Sequence, residues 1–319
     1  MLAHRIVATS GAGALGPRHS AVHSARGVAL TIGNFDGVHR GHQAMLQRLR
    51  EAAAARGLAP CVMTFEPHPR EFFDPLNAPA RLSNLREKLM LLREHGVAEV
   101  FLCRFDAAVA KLAPEAFADM VFTRIGVRWL LVGDDFRFGA QRGGGAALLK
   151  DKARAHNALI EAMPSVEVDG LRASSTAVRE ALAAGDLAQV CALLGSNYRM
   201  CGRVAHGEKL GRKLGFPTAN VLLKRLRAPL AGIYAVKLHG LGDTLHGAAS
   251  LGLRPTVSDA LRPTLEVHLF DFQREIYGAH VQVEFCHKLR DEQKYPNLEQ
   301  LRAQIARDVH EARTYFQRA

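Results

Sequence analysis

Hydrophobic positions in this chain keep one rhythm up to about residue 194 and another after it. From Gly27 a nearly unbroken apolar run, Val28–Ile32, gives way to Met45, Leu46, Leu49, Ala52 and Ala53, which recur at helical spacing until Gly57. A short apolar run ending in a glycine-rich turn reads as a buried strand, and the recurrence as one face of a helix. The same unit predicts strand 61–65, helix 82–95, strand 99–103, helix 114–124 and strand 129–132. Strands alternating with helices pair in parallel and are covered on both faces. The expectation is a Rossmann-like α/β domain with ligands where strand ends meet helix starts.

A helical pair over 176–184 and 187–194 follows. From Tyr198 the apolar residues alternate with polar ones in short runs, as from Ile233 to Leu238 and at Leu265, Val267 and Leu269, with Gly and Pro turns between. Period two broken by turns predicts an antiparallel barrel or sandwich. Leu298, Leu301, Ile305, Ala312 and Phe316 share one stripe and predict a terminal helix packed on it. The fold class is α/β plus β, divided into a mobile extension (1–26), an α/β domain (27–194) and a β domain (195–319). The first stretch is rich in Gly, Ala, Ser, His and Arg and has no hydrophobic period. A misplaced start and, less favoured, an organelle-targeting leader are the other readings of it.

Composition narrows the class. Apolar residues make up 48% and charged residues 23%, enough for each part to bury a core. No stretch has the roughly 18 apolar residues that span a bilayer, and no secretory leader is apparent, so the expectation is a cytoplasmic protein without a membrane partner. Five cysteines, widely spaced and without a CxxC pair, suit reduced buried thiols better than disulfides or zinc. The net charge of +11 raises nucleic acid as a partner. Its distribution argues otherwise: residues 27–190 hold 20 basic and 19 acidic groups, residues 191–319 hold 19 and 12, and no basic run accompanies the 7% aromatics. Polyphosphate ligands account for the excess, so no nucleic acid is expected; the chain is expected to act as a monomer or weak oligomer.

Two constellations carry chemistry. After the first strand comes Gly33-Asn34-Phe35-Asp36-Gly37-Val38-His39-Arg40-Gly41-His42, then a helix. Gly41 lets backbone approach a ligand, and two imidazoles flank a helix N-terminus whose free amides attract phosphate. Such histidines can hydrogen-bond the α-phosphate of ATP; alone, they could equally be surface polar groups. Ser174, Ser175 and Thr176 precede a helix holding Arg179, and hydroxyls with one guanidinium can grip β- and γ-phosphates. A simple helix cap is the bland alternative. In the second half, Gly202, His206, Gly207, Gly211, Arg212 and Gly215 suit a loop folded over phosphates. Pro217-Thr218-Ala219-Asn220 adds hard oxygen ligands for Mg2+ at Thr218 and Asn220. Glu266, between Leu265 and Val267, is the candidate general base, although a strand glutamate so flanked is most often solvent-facing.

IGNFDGVHRGH, TFEPHPRE, VGDDFRFG and SST followed by Arg179 resemble the nucleotidyltransferase half of the bacterial bifunctional riboflavin kinase and FAD synthetase family. GRVAHGEKLGRKLGFPTAN, GIYA, the RPT at 254–256, LEVHLFDF and the YG at 277–278 resemble its riboflavin kinase half. Departures are Ala173 and Val178 where the family has Ile, Leu251-Gly252-Leu253 before RPT, and Tyr295 for Phe. The resemblance implies an antiparallel kinase barrel, ATP as co-substrate, Mg2+ as cofactor, and riboflavin, FMN and FAD as substrates and products. It implies flavin contacts at Phe65, Pro67, His68 and Pro69, an adenine-nucleotide contact at Asp135, and ligand contacts at Arg254 and Arg290. A monofunctional adenylyltransferase with a flavin-binding barrel and a nucleic-acid-binding protein are the rival readings.

Overall fold

The computed structural model describes residues 1–8, 15–17, 27–207, 210–255 and 261–318, with side chains at 5–8, 15–17, 210, 253–255 and 261–262 outside the description. Two compact units result: Met1–Pro79 with Lys88–Ala173, and Ala80–Glu87 with Ser174–Ala319.

The first unit is built on a seven-stranded sheet: β1 (Leu2–Ala8), β2 (Leu15–Pro17), β3 (Val28–Ile32), β4 (Ala59–Glu66), β5 (Glu99–Arg104), β6 (Val127–Gly133) and β7 (Leu159–Met163). The order is β2-β1-β5-β4-β3-β6-β7, and every pairing except β1 with β2 is parallel. The chain winds outward from β3 through β4 and β5, then returns to lay β6 on the other side of β3. That reversal opens a crevice beyond the ends of β3 and β6.

Parity along the strands splits the apolar residues between two cores, as burial on both faces requires. Val28, Leu30, Cys61, Met63, Phe101, Leu130 and Val132 join one. Ala29, Val62, Val100, Trp129 and Leu131 join the other, against Leu46, Leu49, Ala52 and Ala53 of helix Arg40–Arg56. Each fully buried Leu, Val or Phe stabilises by about 1.5–3 kcal/mol, so this sheet rests on both layers. Helix Arg40–Arg56 stops at Gly57, whose φ of 65° is the left-handed cap that glycine takes without strain.

Three features depart from the sequence expectations. Within the segment expected to be a mobile extension, Leu2–Ala8 forms a parallel strand on β5, with Leu2 N donating to Ala98 O at 3.0 Å and His4 Nε2 3.0 Å from Glu99. Backbone pairing needs no hydrophobic period, so the pattern gave no warning. Helix Ala146–Ala155 and β7 were also unread. β7 is an edge strand carrying Glu161, paired with Arg48 at 2.6 and 2.8 Å, and Leu159 is 59% exposed. The helix expected over 82–95 begins at Leu85. Asn84 and Glu87 exchange side-chain-to-backbone hydrogen bonds of 3.0 and 2.7 Å, a capping box that fixes the start.

A short hairpin, β8 (Glu167–Val168) with β9 (Leu171–Arg172), ends the first unit. The second unit opens with helices Ser175–Ala184 and Leu187–Leu194 and continues into a closed antiparallel barrel. Its strands are β10 (Arg199–Ala205), β11 (Ala219–Leu222), β12 (Gly232–Leu241), β13 (Asp243–Pro255), β14 (Leu261–Leu269) and β15 (His280–Arg290), ordered β10-β11-β14-β13-β12-β15. Tyr234, Leu251, Leu265, Val267, Val283 and Phe285 are fully buried in it, and helix Leu298–Arg318 closes the chain.

Segment Ala80–Glu87 belongs to this second unit through polar contacts. Arg225, 6% exposed, ion-pairs with Glu87 and donates to Arg81 O and Tyr198 Oη, both at 3.0 Å. Cys201 N donates to Glu87 at 2.6 Å. Burial pushes the Glu87 carboxyl up, while Arg225 and the amides of Cys201 and Asn84 draw it back down.

Candidate active sites

In the first unit the Gly33–His42 stretch leaves the C-terminal end of β3, at the mouth of the crevice. Its turn holds three left-handed backbones in four residues: Phe35 (φ 48°), Gly37 (82°) and Val38 (43°). For a β-branched side chain that conformation costs energy, and Val38 accepts it while 1% exposed. Packing therefore determines the turn, and it delivers two imidazoles to the helix start. His39 is the N-cap residue, with φ −63° and ψ 171°, and makes no side-chain cap bond. The rings of His39 and His42 stack with centroids 3.8 Å apart, and Phe35 packs on His42 at 4.9 Å. A Cβ on Gly41 would lie 3.1 Å from Ala173 O and 3.2 Å from the His39 ring, so glycine permits the close stack.

Burial first, then the charges of His39 and Lys88, hold His42 well below the ordinary imidazole value. Both rings together cannot carry charge at this separation. His42 Nδ1 is buried and has no hydrogen-bond partner among the described residues. A ligand oxygen is the kind of partner it lacks.

The expected flavin residues lie at the end of β4. Phe65 is edge-on to Phe105 at 5.9 Å, and Phe72 and Phe73 extend the cluster with centroids 5.4–5.6 Å apart. His68 caps helix Pro69–Phe73 by accepting from Arg70 N at 3.1 Å, and Phe73 is 66% exposed. Asp135, in the turn after β6, meets Arg172 at 2.9 Å.

Ser174, Ser175, Thr176 and Arg179 fall in the second unit. Ser174 Oγ accepts from Ala177 N at 3.1 Å and so caps helix Ser175–Ala184; Arg179 Nε donates to Ala80 O at 2.6 Å.

The barrel site is set by strand register. Asn220 on β11 lies opposite Glu266 on β14, which also faces Ser250 on β13. Thr218 Oγ1 donates to Glu266 Oε2 at 3.3 Å. Glu266 points away from buried Leu265 and Val267, as alternation predicted, but into a cavity of about 250 Å³ shared with Phe216, Arg290, Tyr295 and helix residues Ile305 and Val309. A second cavity of about 270 Å³ is lined by Arg212, Pro217, Thr218, Phe272 and Tyr277. Thr218 lines both. Gly207 touches Asn220: a Cβ there would sit 2.3 Å from its amide nitrogen. His206 packs on Tyr277 at 3.9 Å, Gly202 lies on β10, Gly211 in helix Leu210–Lys213 and Gly215 just beyond it. The Arg254 side chain and Thr256 lie outside the described residues.

Arg290 was expected as a ligand contact, whereas Asp308, Thr64 and Lys88 carried no sequence signal. Arg290 is gripped by both oxygens of Asp308, at 2.8 and 2.7 Å, and Gln304 donates to the same carboxylate at 2.8 Å. Hydrogen bonding to Asp308 raises the Arg290 guanidinium further. Asp308 is 4% exposed on a helix whose apolar stripe alone was read. Thr64 and Lys88, 0% and 2% exposed, lie in the first unit, on a strand and a helix respectively. The five cysteines are free, and burial pushes Cys61 and Cys103 up to about 12.

A family model described as FAD synthetase matches residues 21–177, and one described as riboflavin kinase matches residues 194–316. A bifunctional riboflavin kinase/FMN adenylyltransferase of Haemophilus influenzae is 46% identical over 300 residues, covering 93% of this chain and 97% of the relative. One of Escherichia coli K12 is 49% identical over 292 residues, covering 91% and 93%. A solved structure described as a macrolide-efflux protein from Streptococcus pneumoniae superposes with a TM-score of 0.75 at 30% identity, covering 88% of this chain and 92% of that one. Among the described residues no helix here is long and apolar enough to cross a membrane.

Proposed function

The chain belongs to the bifunctional riboflavin kinase/FMN adenylyltransferase family and converts riboflavin to FMN and FMN to FAD with ATP; we propose that residues 195–319 hold the kinase chemistry and residues 27–194 the adenylyl transfer.

For the kinase, the observation that carries the assignment is Thr218, which lines both barrel cavities while hydrogen-bonded to Glu266 at 3.3 Å. The cavity beside Arg212 and Tyr277 takes the nucleotide, and the cavity beside Glu266 takes the flavin. The ribityl hydroxyl is a poor nucleophile, so Glu266 accepts its proton as the oxygen bonds to the γ-phosphorus and the bond to the β-phosphate oxygen breaks, releasing ADP. Thr218 and Asn220 offer hard oxygen donors against a carboxylate, a set that suits Mg2+, which keeps several waters and phosphate oxygens in its shell. When bound, Mg2+ neutralises phosphate charge. Arg290 lines the flavin cavity, with Asp308 setting its orientation.

For adenylyl transfer the nucleophile is the FMN phosphate, anionic at neutral pH, which attacks the α-phosphorus of ATP and displaces pyrophosphate. No base is required. His39, His42 and the amides opening helix Arg40–Arg56 stabilise charge on the α-phosphate. The aromatic cluster at Phe65 and Phe105 fits an isoalloxazine ring, and the resemblance assigns β- and γ-phosphate contacts to Ser174, Ser175, Thr176 and Arg179. Five free cysteines suit a reducing cytoplasm, and action as a monomer or weak oligomer completes the proposal.

The test is a time course from riboflavin, ATP and Mg2+, with riboflavin, FMN and FAD separated by chromatography, beside one started from FMN. FMN rising before FAD, with His42→Ala stopping only the second step, supports the assignment. Loss of both steps in folded His42→Ala overturns it.

A further inference from the structure

Lysine is almost never fully buried unless it is paired. Lys88 is 2% exposed, in the first unit. Its Nζ is 3.4 Å from Thr64 Oγ1, and that hydroxyl lies 3.2 Å from the carbonyl oxygen of Asn34. Asn34 opens the turn whose left-handed residues at 35, 37 and 38 deliver His39 and His42. Lys88 is thus linked through one buried threonine to the backbone that aims the imidazoles.

Charge points the same way. The groups acting on His42 are His39, stacked on it at 3.8 Å, and Lys88, while Asp36 is the acid of the turn, 3% exposed. An imidazole that is buried beside a second imidazole and an ammonium stays neutral and donates or accepts one hydrogen bond per nitrogen. A polyphosphate entering this crevice meets little positive charge from the His42 ring itself. His42 Nδ1, buried and without a partner among the described residues, marks where such a ligand oxygen would approach. An apolar residue would fill the Lys88 position at lower desolvation cost, so the ammonium answers a need other than packing.

We propose that Lys88 is a positioning residue of adenylyl transfer: a fixed cation that braces the Asn34 turn through Thr64 and supplies the positive charge that a neutral His42 does not. This deepens the assignment of the histidine turn to adenylyl transfer and rests on it.

The full-length enzyme tests it with Lys88→Met, Thr64→Val and His42→Gln. Trp129, the single tryptophan and 1% exposed in the core of the same unit, reports by fluorescence whether that unit is folded. Lys88→Met is expected to lower kcat for FAD formation from FMN by about 10²-fold, the loss typical of one stabilising group. In ¹³C-histidine spectra the resonance that vanishes in His42→Gln should titrate closer to the ordinary imidazole value in Lys88→Met, and the acid limb of kcat should follow it. Thr64→Val, which keeps the charge and cuts the brace, is expected to lower kcat by about tenfold while leaving that titration in place, by the usual cost of one buried hydrogen bond. A folded Lys88→Met with kcat within about threefold of wild type, or with an unmoved His42 titration, overturns the proposal. Should Lys88→Met not fold, an unaffected Thr64→Val overturns it. Undiminished FAD formation in His42→Gln would instead sink the assignment of the histidine turn itself.

Discussion

The sheet site and the barrel site handle charge in opposite ways. At the end of β3 the titratable groups are two stacked imidazoles, a buried ammonium and the buried Asp36 carboxyl, and the proposed reaction asks none of them to take a proton. Around the barrel cavity beside Glu266, the side chains of Glu266, Glu292 and Asp308 all contribute carboxylates, with Arg290 tied to Asp308. The nucleophiles explain the contrast. A phosphate arrives already ionised and needs only stabilisation of the charge it creates, whereas a hydroxyl must lose a proton and needs a base. The two sites also differ in what holds them: a strained turn fixed by packing in one, cross-strand register in the other.

The contrast is sharpest in reciprocal variants. His42→Ala is expected to cut FAD formation from FMN by about 10³-fold and leave riboflavin phosphorylation within about twofold; Glu266→Gln should do the reverse. Product ratios from single time courses decide, and a parallel loss of both activities would erase the distinction. A step smaller is Asp308→Asn, which leaves the Arg290 fork half-satisfied: riboflavin KM should rise about tenfold with kcat less affected, matching one charge-assisted hydrogen bond. Unchanged riboflavin saturation would remove the terminal helix from the flavin site.

A pH series separates the sites more gently. Folded His42 resists protonation, whereas unfolded His42 binds a proton near the ordinary imidazole value. The unfolded chain therefore takes up more protons as pH falls. His42 costs nothing above about pH 6.5, and below it the first unit should lose up to about 1.4 kcal/mol per pH unit until His42 protonates in the fold. Urea midpoints read from Trp129 fluorescence should show this loss, and His42→Gln should abolish it. The smallest effect is expected from Arg172→Ala. It frees Asp135 from an exposed pair, so stability should move by less than about 1 kcal/mol, with ATP saturation as the measurement of interest.

The sequence made the alternating half, the barrel and both motif-bearing loops legible because glycine, histidine and proline at fixed offsets allow few backbone solutions. Alternation at Leu265, Val267 and Leu269 placed Glu266 on the opposite face, and in the structure that face meets a cavity. What stayed hidden lacks local signature. The Leu2–Ala8 strand is recruited by backbone pairing, and β7 mixes apolar and charged residues because it lies at an edge. Lys88 sits in an amphipathic helix where a lysine is ordinarily solvated. Asp308 and Arg290 are 18 residues apart, and only the folded helix brings a carboxylate to the guanidinium.

The second unit includes Ala80–Glu87, a piece of chain interrupted from the rest of it by the whole of Lys88–Ala173. A gene cut after residue 194 would yield a fragment with every barrel strand and without Glu87, stranding a guanidinium only 6% exposed. Removing one partner of a buried ion pair typically costs about 3–5 kcal/mol, against the roughly 5–15 kcal/mol that keeps a domain folded. A cut at residue 194 is therefore not neutral for the barrel, which takes part of its interior from a segment more than a hundred residues upstream.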